Sequence, residues 1–153
     1  MSWTIQGLLQ WTETFFKKQN IPSPRSDAEV LLSTVLGVKR VDLYIAFDRP
    51  VNIKELAQFK QLVQRRSKHE PIQYITGRQE FWSLNFKVNN AVLIPRPETE
   101  CIMEQAIRIF QDRTNEDIRI LDIGCGSGVL SIVLAKEFSN AQVVAVDISQ
   151  AAL

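Results

Sequence analysis

Three glycines stand at alternate positions, Gly124, Gly126 and Gly128, directly behind the apolar run Ile118-Arg119-Ile120-Leu121-Asp122-Ile123. A second apolar run, Ala141-Gln142-Val143-Val144-Ala145-Val146, ends in Asp147. Glycine without a Cβ allows a sharp turn out of a strand and lets a ligand lie against the main chain. A helix starting near Gly128 points free N–H groups at the same place. Asp147 falls at the carboxyl end of the next strand, where open α/β sheets bind ligands, and a carboxylate there can accept hydrogen bonds from ribose hydroxyls. Its distance from Gly124 is close to the roughly 20 residues expected for such an acid. Strand, glycine loop, helix, strand and acid together predict a nucleotide-binding βαβ unit.

Two ligand classes compete for this unit. A nicotinamide or flavin dinucleotide expects G-x-G-x-x-G or G-x-G-x-x-A. Here Val129 takes the third small position, and its bulk opposes the close helix–strand packing that the dinucleotide site uses. The pattern with Asp122 in front, D-x-G-x-G-x-G followed by a strand-end acid, resembles motif I and its companion acid in class I methyltransferases, which bind S-adenosylmethionine. In that family the loop runs past the amino-acid part of the cofactor and the acid holds the ribose. A glycine-rich turn in an unrelated α/β protein is the bland alternative.

A second segment narrows the resemblance. Val92-Leu93-Ile94-Pro95-Arg96-Pro97-Glu98-Thr99-Glu100 reads physically as a stiff approach into a helix, with Pro97 at an early helical position and acids in the first turn. The string L-I-P-R-P-E-T-E is also similar to the signature that precedes motif I in glutamine methyltransferases of peptide chain release factors, the HemK or PrmC type. Pro71 to Gly77 and Glu80 to Val88 resemble the same family. The likeness implies methyl transfer from S-adenosylmethionine to the side-chain amide of the glutamine in the Gly-Gly-Gln motif of a class I release factor. It assigns Gly124, Cys125, Gly126, Ser127, Gly128 and Asp147 to the cofactor. The family completes its site with an Asn-Pro-Pro-Tyr motif, and no such string occurs in these 153 residues. No catalytic residue therefore carries over, and the chain is expected to be a truncated, inactive N-terminal part. Two other readings stay open: a methyltransferase of the same class acting on a substrate such as a nucleobase amine, and a non-enzymatic module that binds a release factor.

Composition agrees with an ordinary globular protein, at 45% hydrophobic and 23% charged residues. The net charge of +1 implies no strong field for nucleic acid or membrane. The charge is uneven. Up to Ile75 there are eleven Lys or Arg against seven Asp or Glu, and from Thr76 onward seven against ten. Lys60, Arg65, Arg66 and Lys68 gather the basic excess, either as a solvated helix end or as a face for an acidic partner. Cys101, Cys125 and the single His69 lack metal-ligand spacing, so no metal is expected. No apolar run approaches the roughly 20 residues of a membrane span. Glu13, Lys17 and Lys18 interrupt any signal-peptide core, so the cytoplasm is the expected compartment.

These residues need elements to hold them. Helical spacing predicts helices from Trp3 to Gln19, from a Ser26/Glu29 capping box to Gly37, around Val41–Phe47, and from an Asn52/Glu55 cap to about Lys68. Thr76–Asn90 reads as a β-hairpin with Glu80-Phe81-Trp82 in its first strand and Ser83 at the bend. A helix from Pro97 to Gln111 has Ile102, Ala106, Ile109 and Phe110 as its apolar positions, and Thr114 to Asp117 form a polar loop. The expected fold class is α/β. It comprises a helical substrate-recognition domain at 1–75, a β-hairpin linker at 76–96, and at 97–153 the start of a Rossmann-like, class I S-adenosylmethionine-dependent methyltransferase domain.

Overall fold

Thr4 starts the first helix, α1 (Ile5–Lys18), by accepting the Gly7 N–H on its hydroxyl at 3.1 Å. Two more of the helix's free N–H groups are met from outside, Ile5 by the Arg49 carbonyl and Gln6 by the Phe47 carbonyl. The computed structural model describes residues 3–111 and 117–153. Three positions of the expected polar loop, Thr114, Asn115 and Glu116, lie outside them. The chain forms two compact units, Met1–Thr76 and Gly77–Leu153.

The first unit is helical: α1, α2 (Pro24–Leu36), α3 (Arg40–Ile45), α4 (Ile53–Ser67) and the short α5 (Ile72–Thr76). Its core gathers Ile5, Leu9, Phe16, Leu31, Leu32, Leu43 and Phe59, each almost fully buried. The predicted Asn52/Glu55 box is present, with the Glu55 N–H donating to Asn52 and the Asn52 N–H donating to Glu55. Gly37 ends α2 in the left-handed region, at φ 65°. The Ser26/Glu29 box is not formed. Pro24, with φ preset for a helix, takes the first helical position, so Ser26 already lies inside the first turn.

Glu29 has a different task. It is 3% exposed and receives hydrogen bonds from Arg25, Arg40 and the Tyr44 hydroxyl, which pins α3 to α2. Burial pushes its carboxyl up, but these three donors outweigh burial and hold it below the ordinary carboxylate value. Glu55 and Glu70 lie low as well, the first through the Asn52 N–H and the second through Arg65. A depressed carboxyl stabilises the fold fully above its unfolded value, about 4.3, and loses that contribution as pH falls through the folded value. The helical unit is therefore expected to unfold more readily below about pH 4, and Glu29→Gln to flatten that acid branch. Thermal melts at pH 7 and pH 3.5 check this. An acid branch of equal slope in wild type and variant would show that Glu29 is not its source.

The second unit opens with the hairpin, β1 (Arg78–Phe81) antiparallel to β2 (Leu84–Lys87). Its turn is two residues long, Trp82 and Ser83, with φ of 50° and 57°. Trp82 is thus a turn residue and not the end of the strand. Matching the twist of a two-residue hairpin requires positive φ at both central positions. The unusual Trp is held there by Glu100, which accepts its main-chain N–H at 2.9 Å, and by Glu137, which accepts its indole N–H at 2.9 Å. Phe81 and Phe86 from the hairpin share a core with Met103, Val129 and Val133.

A 3-10 turn (Pro97–Thr99) leads into α6 (Glu100–Phe110). Met103 is fully buried, while the expected apolar positions Ile102 and Ile109 are exposed. The inward stripe of α6 thus runs through Met103, Ala106, Ile107 and Phe110, which are buried or half-buried. Beyond it, β3 (Arg119–Ile123), α7 (Val129–Glu137) and β4 (Gln142–Val146) make the βαβ unit. The strands are parallel, with Arg119 opposite Gln142 and Ile123 opposite Val146. Side chains alternate across a sheet. Asp122 faces α7, as its bond to Ser131 shows. Leu121, Ile123, Val144 and Val146 share the other face and are exposed. Among the described residues, no helix is long and apolar enough to cross a membrane.

Candidate cofactor site

The loop from Gly124 to Gly128 lies at the carboxyl end of the parallel pair. Gly124, Gly126 and Gly128 have φ of 79°, 54° and 73°, a region that an L side chain enters only under strain. This is the local reason for glycine at each alternate position. A Cβ built on Gly124 or Gly126 would meet no protein atom within 4 Å, so these glycines border open space. Gly128 caps α7, whose first residue, Val129, is buried in the core with Phe81 and Met103.

Most of the loop's amides are already used. The Gly124 and Cys125 N–H groups both donate to the Val146 carbonyl, at 2.8 and 3.1 Å. Gly126 donates to Asp147 Oδ2 at 2.8 Å, and Gly128 donates to the Cys125 carbonyl at 2.8 Å. Ser127 alone in the loop has an N–H without a partner among the described residues. A pyrophosphate needs several free amides converging on it. This loop is built to tie itself to β4 instead.

Asp147 is the knot. Besides Gly126, it takes the Ser149 N–H on Oδ1 at 2.8 Å. These two donors, Ser149 first, hold its carboxyl below the ordinary value against the opposing effect of partial burial. A carboxylate has about four acceptor positions, so each oxygen keeps capacity for a ligand hydroxyl. The structure therefore brings Asp147 to the loop, 21 residues away in sequence, and gives it a bracing role that the sequence did not suggest.

Asp122 flanks the loop from the other strand. Its Oδ2 accepts the hydroxyl of Ser131, a buried residue on α7. Sequence spacing gave no sign of this pair, although a carboxylate inside an apolar strand does call for a partner. Between the two acids sits Cys125. Burial, then the charges of Asp122 and Asp147, push its thiol up. Glycines 124, 126 and 128, with Cys125, Ser127 and Asp147, thus form one continuous rim. With Asp122 beside it, the rim brings two carboxylates together, which suits a ligand with hydroxyls and positive charge. Among the described residues, no cluster of three His, Cys, Asp or Glu could hold a metal.

Other sequence-marked residues lie elsewhere. Glu100 of the Pro95–Glu100 segment ties down the hairpin through Trp82. Arg65 is bonded to Glu70, and Arg66 to Asp27. Two of the four clustered cations are therefore engaged in internal ion pairs.

Comparison with known proteins agrees in both units. Residues 7–77 match the family described as PrmC N-terminal domain, and residues 114–153 match the family described as Methyltransferase domain. A Geobacter sulfurreducens protein named release factor glutamine methyltransferase is 46% identical over 151 residues, covering 99% of this chain and 52% of that protein. The Rhodopirellula baltica protein of the same name is 41% identical over 153 residues, covering 99% and 52%. The one from Salmonella typhimurium is 45% identical over 125 residues, covering 82% and 44%. The chain spans about half the length of the curated relatives it matches. Helical unit, hairpin and glycine-loop βαβ unit thus lie in one sequence that resembles, over 99% of its length, proteins named release factor glutamine methyltransferase.

Proposed function

We propose that this sequence belongs to an S-adenosylmethionine-dependent enzyme that methylates the glutamine side-chain amide in the Gly-Gly-Gln motif of a class I peptide chain release factor in the cytoplasm. The observation that carries the cofactor half of this reading is the loop itself. Four of its five amides are committed inside the protein, and Asp122 and Asp147 flank it. That arrangement disfavours a dinucleotide and favours a cofactor with a ribose diol and cationic groups. The substrate half rests on the similarity to proteins named release factor glutamine methyltransferase.

In this reading Gly124, Gly126 and Gly128 let the cofactor approach the main chain, flanked by Cys125 and Ser127, and Asp147 accepts from the ribose hydroxyls. S-adenosylmethionine supplies a methyl group made electrophilic by its sulfonium. The acceptor amide is a weak nucleophile because its lone pair is delocalised, so placement of the two reactants carries much of the catalysis. The helical domain at 1–75 recognises the release factor, and the hairpin at 76–96 connects it to the methyltransferase domain that begins at 97. No residue among these 153 is assigned to the acceptor amide.

The test is transfer of label from methyl-labelled S-adenosylmethionine to a purified release factor, with a polypeptide of the relatives' full length carrying this sequence. Label is expected on the Gly-Gly-Gln glutamine and is expected to vanish when that Gln is replaced by Ala. Label on nucleic acid only, or none above a no-enzyme blank, would refute the assignment.

A further inference from the structure

Ser131 belongs to the first turns of α7 and is 7% exposed. Its hydroxyl donates to Asp122 Oδ2 on β3. Asp122 is half-buried two residues ahead of the glycine loop, and its Oδ1 has no hydrogen-bond partner among the described residues. The carboxylate lies close enough to the loop for its charge to act on the Cys125 thiol. The terminal torsion of an aspartate is broad. One fixed oxygen removes that freedom and decides where the other oxygen points.

We propose that Ser131 is a positioning residue of the cofactor site, holding Asp122 so that its free oxygen receives the α-ammonium of S-adenosylmethionine. This rests on the reading of the glycine loop as the cofactor site. Ser131 itself touches no ligand. With Ser131 as donor, Oδ2 is satisfied by the protein, and the charge of the group is directed to its unpaired side. An ammonium carries three N–H donors and meets such an oxygen well. Without the hydroxyl, the same carboxylate is free to rotate, and its orientation has to be fixed at the moment of binding. That lost preorganisation appears as weaker affinity for the amino-acid end alone.

The rival role for Ser131 is simple packing of α7 on the sheet, and two ligands separate the roles. S-adenosylhomocysteine carries the ammonium. Its desamino analogue, with hydrogen in place of the α-amino group, does not. Calorimetry on a polypeptide of the relatives' full length carrying this sequence measures both. Ser131→Ala is expected to weaken S-adenosylhomocysteine about tenfold and to leave the desamino analogue unchanged. Ser131→Thr, which keeps a hydroxyl, is expected to restore the preference for the amino group. Equal weakening of both ligands, or of neither, would overturn the proposal. If Ser131→Ala lacks the wild-type circular dichroism spectrum, Ser131→Cys takes its place with the same expectation, because a thiol is a weak donor. A wild-type protein that binds neither ligand would remove the cofactor reading itself, a result distinct from a variant that fails to discriminate.

Discussion

Asp147→Ala is expected to weaken S-adenosylmethionine binding by about ten- to a hundredfold, the range for losing hydrogen bonds to a charged group. The measurement is calorimetry on a polypeptide of the relatives' full length. The expectation has two sources. In the proposed site the carboxylate accepts from the ribose, and in the structure it braces the loop through the Gly126 N–H while taking the Ser149 N–H on its other oxygen. Asp147→Asn separates the two. If the residue served only the ribose, the amide oxygen would still accept one hydroxyl and the loss would be partial. The brace needs two acceptor oxygens, and an amide has one. Its NH₂ would then face either the Gly126 or the Ser149 N–H, donor against donor. Asn is therefore expected to be nearly as damaging as Ala. The pH dependence follows from the same bonds. The carboxyl lies below its ordinary value, so the charged form and its two bonds persist through neutral pH. Affinity should be flat there and fall only under about pH 4, as protonation removes an acceptor. Unchanged affinity in Asp147→Ala would place the cofactor elsewhere on the protein.

The fold was most legible in the sequence where local chemistry decided the outcome. Asn52 and Glu55 satisfy each other's amides across one turn, and nothing distant competes for them. Gly37 ends α2 because it alone reaches φ 65° without strain. The same kind of pattern misled at Ser26 and Glu29. Pro24 fixed the helix start three residues earlier, and Glu29 was taken by Arg40 and Tyr44, eleven and fifteen residues away. No local rule contains those partners. Trp82 failed for a related reason. Its β propensity is real, yet the two-residue turn demanded positive φ, and Glu100 and Glu137 from two different helices hold it there. On α6 the apolar positions were visible, but several rotations of the stripe fit them. The choice of Met103 over Ile102 and Ile109 was made by the hairpin and α7 packing against it. In the candidate site, the glycines and Asp147 were readable as a ligand-binding pattern. That Asp147 also closes the loop, and that Ser131 restrains Asp122, depends on the parallel pairing of β3 and β4 and on where α7 lands.

Arg66→Met is expected to destabilise the helical unit by about 3–5 kcal/mol, the scale for removing one partner of a buried ion pair. Arg66 and Asp27 meet at 2.7 Å with side chains only 12% and 9% exposed. Methionine replaces most of the apolar stem of Arg66 but leaves the Asp27 carboxylate in poor contact with water. It also leaves the Glu70 carbonyl without the guanidinium that donates to it at 2.9 Å. A unit of this size has a total stability of roughly 5–15 kcal/mol at most, so the loss is a large share of it. The double variant Asp27→Leu with Arg66→Met is expected to regain most of that stability. Both charges are then gone and the site is filled by apolar groups of similar volume. The recovery should fall a few tenths of a kcal/mol short, because Asp27 also lies in the first turn of α2, where a negative charge is favoured. Urea unfolding followed by circular dichroism at 222 nm reads the helices directly. It yields the coupling energy of the pair when Asp27→Leu is added as the fourth corner of the cycle. An Arg66→Met cost below about 1 kcal/mol would mean that water screens the pair, as it does for surface ion pairs. In that case Asp27 and Arg66 would not be what fastens α4 to α2.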